Sequence, residues 1–310
     1  MGFGQKHRTL RRRTMTNDAL VSVWKRLAPV VGEPDFCPVR REEDGTVYDG
    51  VWQVTVNGSH YILKRAKEFE AEIYCNFFSE GRPYVPKLLG SVAGSDGDYL
   101  LLEQIEGRNL QRCTFSGLAA AVDSLSLMQN EFWENQQLSN KGLLFEESFA
   151  QRKKRRNYLC SALLEKYYDE YLLLYERLPR TLCHDDLLPF NILLAKNRAV
   201  MIDWEIGGIL PYPTSLARLI AHGRTHGDLF RMTPKQRAFA VERYYSQVAA
   251  RQGIGRTQFD REIALFVFAE SCEWVFVGNR FGREDCRLYP RYYRAALQAA
   301  RRMEAGIFIT

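Results

Sequence analysis

No C-x-x-C pair occurs in this sequence, no apolar stretch approaches the ~18 uninterrupted residues of a membrane-spanning helix, and no segment repeats itself or falls into low complexity. Each absence removes a class of protein. The seven cysteines (Cys37, Cys75, Cys113, Cys160, Cys183, Cys272, Cys286) are odd in number and scattered, which fits reduced thiols rather than a disulfide framework or a zinc site. The five histidines show no ligand spacing either. The opening residues, MGFGQKHRTLRRRT, are charged but lack the apolar core of a secretory signal, so a cytoplasmic protein without a membrane segment is expected. The chain has little charge imbalance once that end is set aside. Of its net +6, Lys6, Arg8, Arg11, Arg12 and Arg13 supply +5 and leave +1 for the rest. Residues 1–16 therefore read as a basic, solvated tail, with Met15 an alternative natural start.

What is present suits a folded protein of two parts. The 310 residues exceed one minimal domain, and 46% hydrophobic with 13% aromatic residues supply a core. Residues 17–29 read as an amphipathic helix capped by Thr16 or Asn17 and ended by Pro29. Val51–Val56 alternates as a strand, Asn57-Gly58 is a hairpin turn, and Tyr61–Lys64 is the returning strand. The preceding residues, Asp44 to Gly50, read as a flexible loop, and Glu68 to Ser79 has helical spacing. Pro86–Gly90 and Tyr99–Glu103 predict two further strands. From about residue 113 the pattern is mostly helical, with one long helix over 147–177. That helix carries the basic run Arg152–Arg156, which reads as an exposed helix face. No nucleic-acid-binding motif accompanies it, so nucleic acid is disfavoured as a partner. The sum is an α+β arrangement.

Chemistry concentrates in Cys183-His184-Asp185-Asp186-Leu187-Leu188-Pro189-Phe190-Asn191, followed by two short apolar strands and Ile202-Asp203-Trp204-Glu205. Phosphoryl transfer needs a carboxylate to orient the attacking hydroxyl, and an amide oxygen with a second carboxylate to hold magnesium against the phosphates. Asp186 suits the first task; Asn191 and Asp203 suit the second. A hairpin of strands 192–195 and 199–202 would bring that pair side by side. Cys183 reads as a small buried residue rather than a nucleophile.

The pattern His184-x-Asp186-x-x-x-x-Asn191, with Ile202-Asp203-Trp204-Glu205 behind it, resembles the aminoglycoside phosphotransferase and choline kinase-like family. The resemblance covers roughly residues 40–225 and implies a protein-kinase-like two-lobed fold. A small antiparallel β-sheet N-lobe (17–105) would bind nucleotide, and a larger, mostly helical C-lobe (106–310) would carry the catalytic loop and the acceptor-binding helices. It implies ATP or GTP as co-substrate, Mg2+, and a small-molecule hydroxyl acceptor such as an aminoglycoside, another antibiotic, choline, a sugar or an amino alcohol. Protein kinases share the geometry but usually carry Asp-Phe-Gly at the second motif, and no Ala-Pro-Glu segment follows Asp203 here.

The same resemblance assigns Lys64 to the phosphates and Glu72 to holding that lysine, with Glu70 the alternative. Glycines 45 and 50 fall where a phosphate-covering loop would lie, though they do not form G-x-G-x-x-G. Glu103-Gln104-Ile105 resembles the hinge, so Glu103 and Ile105 would meet the purine. In such families the motif histidine, here His184, mainly organises the catalytic loop by hydrogen bonding. Glu205, Asp228, Glu270 and Glu273 are candidate carboxylates for a cationic acceptor, or else surface charges. Two departures stand out. Asp185 replaces a frequent glycine, and Ser215 in Thr214-Ser215-Leu216-Ala217-Arg218 replaces an aspartate that supports the loop. The second keeps open a nucleotide-binding pseudokinase or interaction module.

Overall fold

Asn57 and Gly58 adopt φ of 50° and 77°. That left-handed pair is the two-residue turn whose twist matches the strands it joins. It connects β2 (Val47–Val56) to β3 (Ser59–Arg65) in the computed structural model of the chain. The structure describes residues 16–27, 32–40, 45–134, 142–196, 198–224, 230–284 and 286–308. The basic run before Thr14, Met15, Pro29, Asp44 and Asp228 lie outside them. The chain forms two compact units, one within Met1–Ala66 and Leu88–Gln104, the other within Lys67–Lys87 and Ile105–Thr310. Among the described residues no helix is long and apolar enough to cross a membrane.

The first unit holds α1 (Asn17–Leu27) and an antiparallel sheet ordered β1-β2-β3-β5-β4, with β1 Asp35–Arg40, β4 Leu88–Gly94 and β5 Gly97–Glu103. Leu20, Val23, Trp24 and Leu27 recur at helical spacing, so α1 presents one apolar stripe. That stripe packs on Val54, Val56, Leu63, Tyr99 and Leu101 of the sheet. Two expectations change here. The segment before Val51 is not all loop, because β2 begins at Val47. The strand β1 escaped sequence reading because Pro38 and a register shift between Pro38 and Arg40 break its alternation.

The second unit carries α2 (Glu70–Phe77), β6 (Arg108–Asn109), α3 (Phe115–Glu131), α4 (Phe145–Arg156), α5 (Ala162–Arg177), β7 (Arg180–His184), β8 (Ile192–Ala195), β9 (Arg198–Met201), β10 (Gly207–Pro211), α6 (Pro213–Ala221), α7 (Pro234–Tyr244), α8 (Arg256–Phe281) and α9 (Tyr289–Glu304). Residues 67–87, grouped with the N-terminal part on sequence, belong to this unit. The reason is aromatic packing: Phe77 meets Phe132 edge-on at 5.5 Å and Phe78 meets Trp204 at 4.9 Å. The single long helix over 147–177 is two helices. Asn157 ends α4, Cys160 takes a left-handed φ of 54°, and Ser161 is extended before α5 begins.

Candidate active site

The candidate site is built from two nested antiparallel ladders. In the outer one β7 pairs with β10, with His184 opposite Gly207, and Asp185 N donates to Ile206 O at 2.9 Å one step inward. In the inner one β8 pairs with β9, with Ile192 opposite Met201, and Ile202 N donates to Asn191 O at 2.9 Å. Residues 185–206 are thus tied at their base and again at their centre. Asn191 enters the inner hairpin where Ile202 leaves it, and Asp203 follows one residue on with a left-handed φ of 66°. Gly208 lets the chain pass close by, since a Cβ there would run into the Leu143 carbonyl oxygen.

His184 fastens the loop. Its ring is fully buried, its Nε2 lies 2.9 Å from Ile202 O, and its Nδ1 accepts from Asp186 N at 3.2 Å. A carbonyl can only accept and a backbone N–H can only donate, so the neutral Nε2–H tautomer satisfies both ends. Burial pushes the imidazole pKa down, against the pull of Ile202 O and of nearby carboxylates. Trp204, also fully buried, packs tilted against this ring with centroids 4.6 Å apart and donates from Nε1 to Met201 O at 3.1 Å. Ser215 takes its part through an acceptor bond: His184 N donates to Ser215 Oγ at 2.9 Å. The hydroxyl therefore braces the loop without a charge. Cys183 is buried, and burial pushes its thiol up to about 12, so it is no nucleophile.

Two arginines that sequence reading gave no role anchor the loop's carboxylates. Arg218 on α6 donates from Nε (3.1 Å) and Nη2 (2.8 Å) to one oxygen, Oδ1, of Asp186. Its Nη1 donates to Glu270 Oε2 at 2.8 Å and Glu273 Oε2 at 2.9 Å on α8. Burial works against the Glu270 carboxylate, but Arg218 and His222 outweigh it and hold its pKa well below the usual range. Arg152 on α4, 4% exposed, donates from Nη2 to both oxygens of Asp185 at 2.8 and 2.9 Å and from Nε to Tyr171 OH at 2.8 Å. That pair gives the departure at Asp185 a structural partner. It also corrects the basic run in part: Lys153 and Lys154 are exposed as expected, but Arg152 is buried, Arg155 pairs with Glu273 at 3.0 Å, and Arg156 pairs with Asp169 at 3.0 Å. The signal was spacing. Ser215 and Arg218 lie three residues apart on one face of α6, as Glu270 and Glu273 do on α8.

Asn191 is 5% exposed and donates from Nδ2 to Asp186 O at 2.8 Å. Because that carbonyl can only accept, the bond fixes the amide orientation and leaves Oδ1 as the end open to a cation. One amide oxygen and the Asp203 carboxylate are hard donors of the kind magnesium takes, with phosphates and water completing its shell. Such a pair fits magnesium. Among the described residues no group of three or more His, Cys, Asp or Glu could hold a metal ion by itself.

The remaining predicted residues sit as follows. Lys64, 7% exposed, lies on β3 opposite Val51 and Leu100 in the first unit. Glu103 ends β5, paired with Tyr61, and the chain leaves the first unit between Gln104 and Ile105. On α2 the two candidate glutamates sit differently. Glu72 is exposed and its Oε1 accepts from Gly142 N at 2.9 Å, whereas Glu70 is fully buried. Glu70 is in phase with the buried Ile73, Tyr74 and Phe77, and Glu72 is not. Of the carboxylates considered for a cationic acceptor, the three among the described residues are already matched by internal cations. Glu205 pairs with Lys67 at 3.0 Å, Glu270 with Arg218, and Glu273 with Arg218 and Arg155.

A five-stranded antiparallel sheet in one unit, a mostly helical second unit and a hairpin-borne His184/Asp186/Asn191/Asp203 loop define a protein-kinase-like fold. The chain belongs to the phosphotransferase enzyme family, whose model matches residues 43–250. Solved structures agree on the fold. A choline kinase from Cryptosporidium parvum Iowa II is similar with a TM-score of 0.60 at 12% identity, over 95% of this chain and 98% of that one. An aminoglycoside phosphotransferase from Alicyclobacillus acidocaldarius subsp. acidocaldarius DSM 446 gives 0.55 at 15% identity, over 88% and 94%. An amicoumacin kinase gives 0.52 at 16% identity, over 89% of each chain. None of the curated proteins matches the sequence.

Proposed function

We propose that this phosphotransferase moves the γ-phosphate of ATP or GTP to a hydroxyl group of a small molecule. Asp186 orients the acceptor hydroxyl, Asn191 and Asp203 hold magnesium, Lys64 grips the phosphates, and Glu103 with Ile105 meets the purine. Glu70, rather than Glu72, takes the helix-glutamate role, a choice supported by its burial in phase with the apolar face of α2. The observation that carries the reading is the tethered loop. Asp186 has one oxygen anchored by Arg218, and Asn191 has its amide turned by the Asp186 carbonyl. Phosphoryl transfer has a loose transition state, so catalysis is chiefly positioning and electrostatics, and a rigid loop suits that demand. The acceptor oxygen bonds to the γ-phosphorus as the bond to the β–γ bridging oxygen breaks, and the nucleoside diphosphate leaves. Asp186 Oδ2 accepts the hydrogen bond of the incoming hydroxyl and receives or relays its proton. Magnesium, when bound, neutralises charge on the phosphate oxygens.

The acceptor is an antibiotic or a metabolite. The pairing of Glu205, Glu270 and Glu273 with internal cations supports one recognised through hydrogen bonds to its hydroxyls over one recognised through positive charge. A pseudokinase reading drew its support from Ser215, and the bond from His184 N to Ser215 Oγ weakens that support. The deciding experiment follows nucleotide consumption with magnesium across a panel of hydroxyl acceptors, for wild type and Asp186→Asn. Acceptor-dependent turnover that falls by about 10²–10⁴ in the variant is the expected outcome. Nucleotide binding with no turnover on any acceptor would instead make the chain a binding module.

A further inference from the structure

Arg218 has five N–H donors, and four are engaged: Nε and Nη2 on Asp186 Oδ1, and both hydrogens of Nη1 on Glu270 and Glu273. Two carboxylates from α8 already balance this guanidinium. The third comes from the loop and is held by a fork closing on one oxygen only. Among the described residues Asp186 Oδ2 accepts no protein hydrogen bond. The Asp186 side chain is 24% exposed, close to the 25% of Glu273 and twice the 12% of Glu270. The cluster is itself fixed from behind, since Arg155 donates to the other oxygen of Glu273 at 3.0 Å. His222 joins Glu270 (3.3 Å) to Tyr292 OH (2.6 Å).

We propose that Arg218 is a positioning residue that holds Asp186 in one rotamer, with Oδ1 anchored and Oδ2 presented to the acceptor hydroxyl. The inference rests on the kinase reading of Asp186 and adds to it. A carboxylate on a two-bond tether would otherwise sample several rotamers, and a misplacement of about 1 Å at a reacting group costs roughly 10²-fold in rate. Lysine, a point charge without a fork, would reproduce the charge but not the geometry.

The test compares wild type with Arg218→Lys and with the charge-balanced double variant Arg218→Met/Glu270→Gln, which removes one carboxylate together with the cation and leaves Glu273 its bond to Arg155. Calorimetry measures MgATP binding. Turnover is measured with water, present in every assay, and with the best acceptor of the panel. In the double variant kcat falls about 10²-fold while MgATP affinity stays within about threefold, and Arg218→Lys lies between it and wild type. A folded double variant with kcat within threefold of wild type overturns the positioning role. So does a fall in kcat matched by an equal fall in MgATP affinity, which a merely structural role would give. Should the double variant fail to fold, Arg218→Lys decides, and wild-type kcat in it overturns the proposal. A wild type that binds MgATP but turns over nothing, or does not bind it, overturns the kinase reading and the role of Arg218 with it.

Discussion

The β-rich unit and the loop of residues 184–206 are held by opposite means. The sheet is closed by an apolar cluster in which Trp24, Leu63, Val54 and Tyr99 are buried against one another. The loop is held by directional bonds: His184 to Ile202, Ser215 and Asp186, Arg152 to Asp185, and Arg218 to Asp186. Apolar burial tolerates small displacements and is indifferent to pH, whereas a polar network fixes atoms in place and fails when one partner is lost. A binding platform needs the first property. A reaction centre needs the second.

Breaking one member of each region sharpens the contrast. Arg152→Met leaves the nearly buried Asp185 carboxylate uncompensated and should cost about 3–5 kcal/mol in urea unfolding. Adding Asp185→Gly removes the stranded charge and should return most of the loss. Leu63→Ala, a cavity in the sheet core, should cost about 2–5 kcal/mol, and no second polar substitution should restore it. A double variant no more stable than Arg152→Met alone would erase the distinction. The pH response is the smaller effect. His184 and His222 are buried, and burial lowers both pKa values below the ordinary ~6.5. The unfolded chain therefore binds more protons than the folded one as pH falls below ~6.5. Stability is complete above that value and declines beneath it, by up to about 1.4 kcal/mol per pH unit for each imidazole. Melting temperature followed from pH 7.5 to 5 checks this. His222→Asn should flatten part of the slope, and an unchanged slope in the variant would remove His222 as a source.

Much of this was legible in the order of residues. Asn57-Gly58 announced its hairpin, and the Asp186, Asn191 and Asp203 spacing announced the loop, because both depend on local chain geometry. The break at Asn157–Ser161 was hidden by the helical periodicity of apolar residues on either side of it. Arg152 read as part of an exposed face and Arg218 drew no role, because their partners lie 33 and 32 residues away along the chain, a pairing only tertiary structure reveals. The phase of Glu70 with Ile73, Tyr74 and Phe77 was likewise readable, since it is set by the local helical repeat.

Calorimetric titration of ATP, with and without magnesium, into wild type and Asp203→Asn probes the centre of the account. Wild type should bind ATP more tightly with magnesium, and the variant should lose that gain while keeping its fold. Magnesium that leaves the affinity of wild type unchanged, or helps both proteins equally, would contradict a phosphoryl-transfer site built on Asp203 and Asn191.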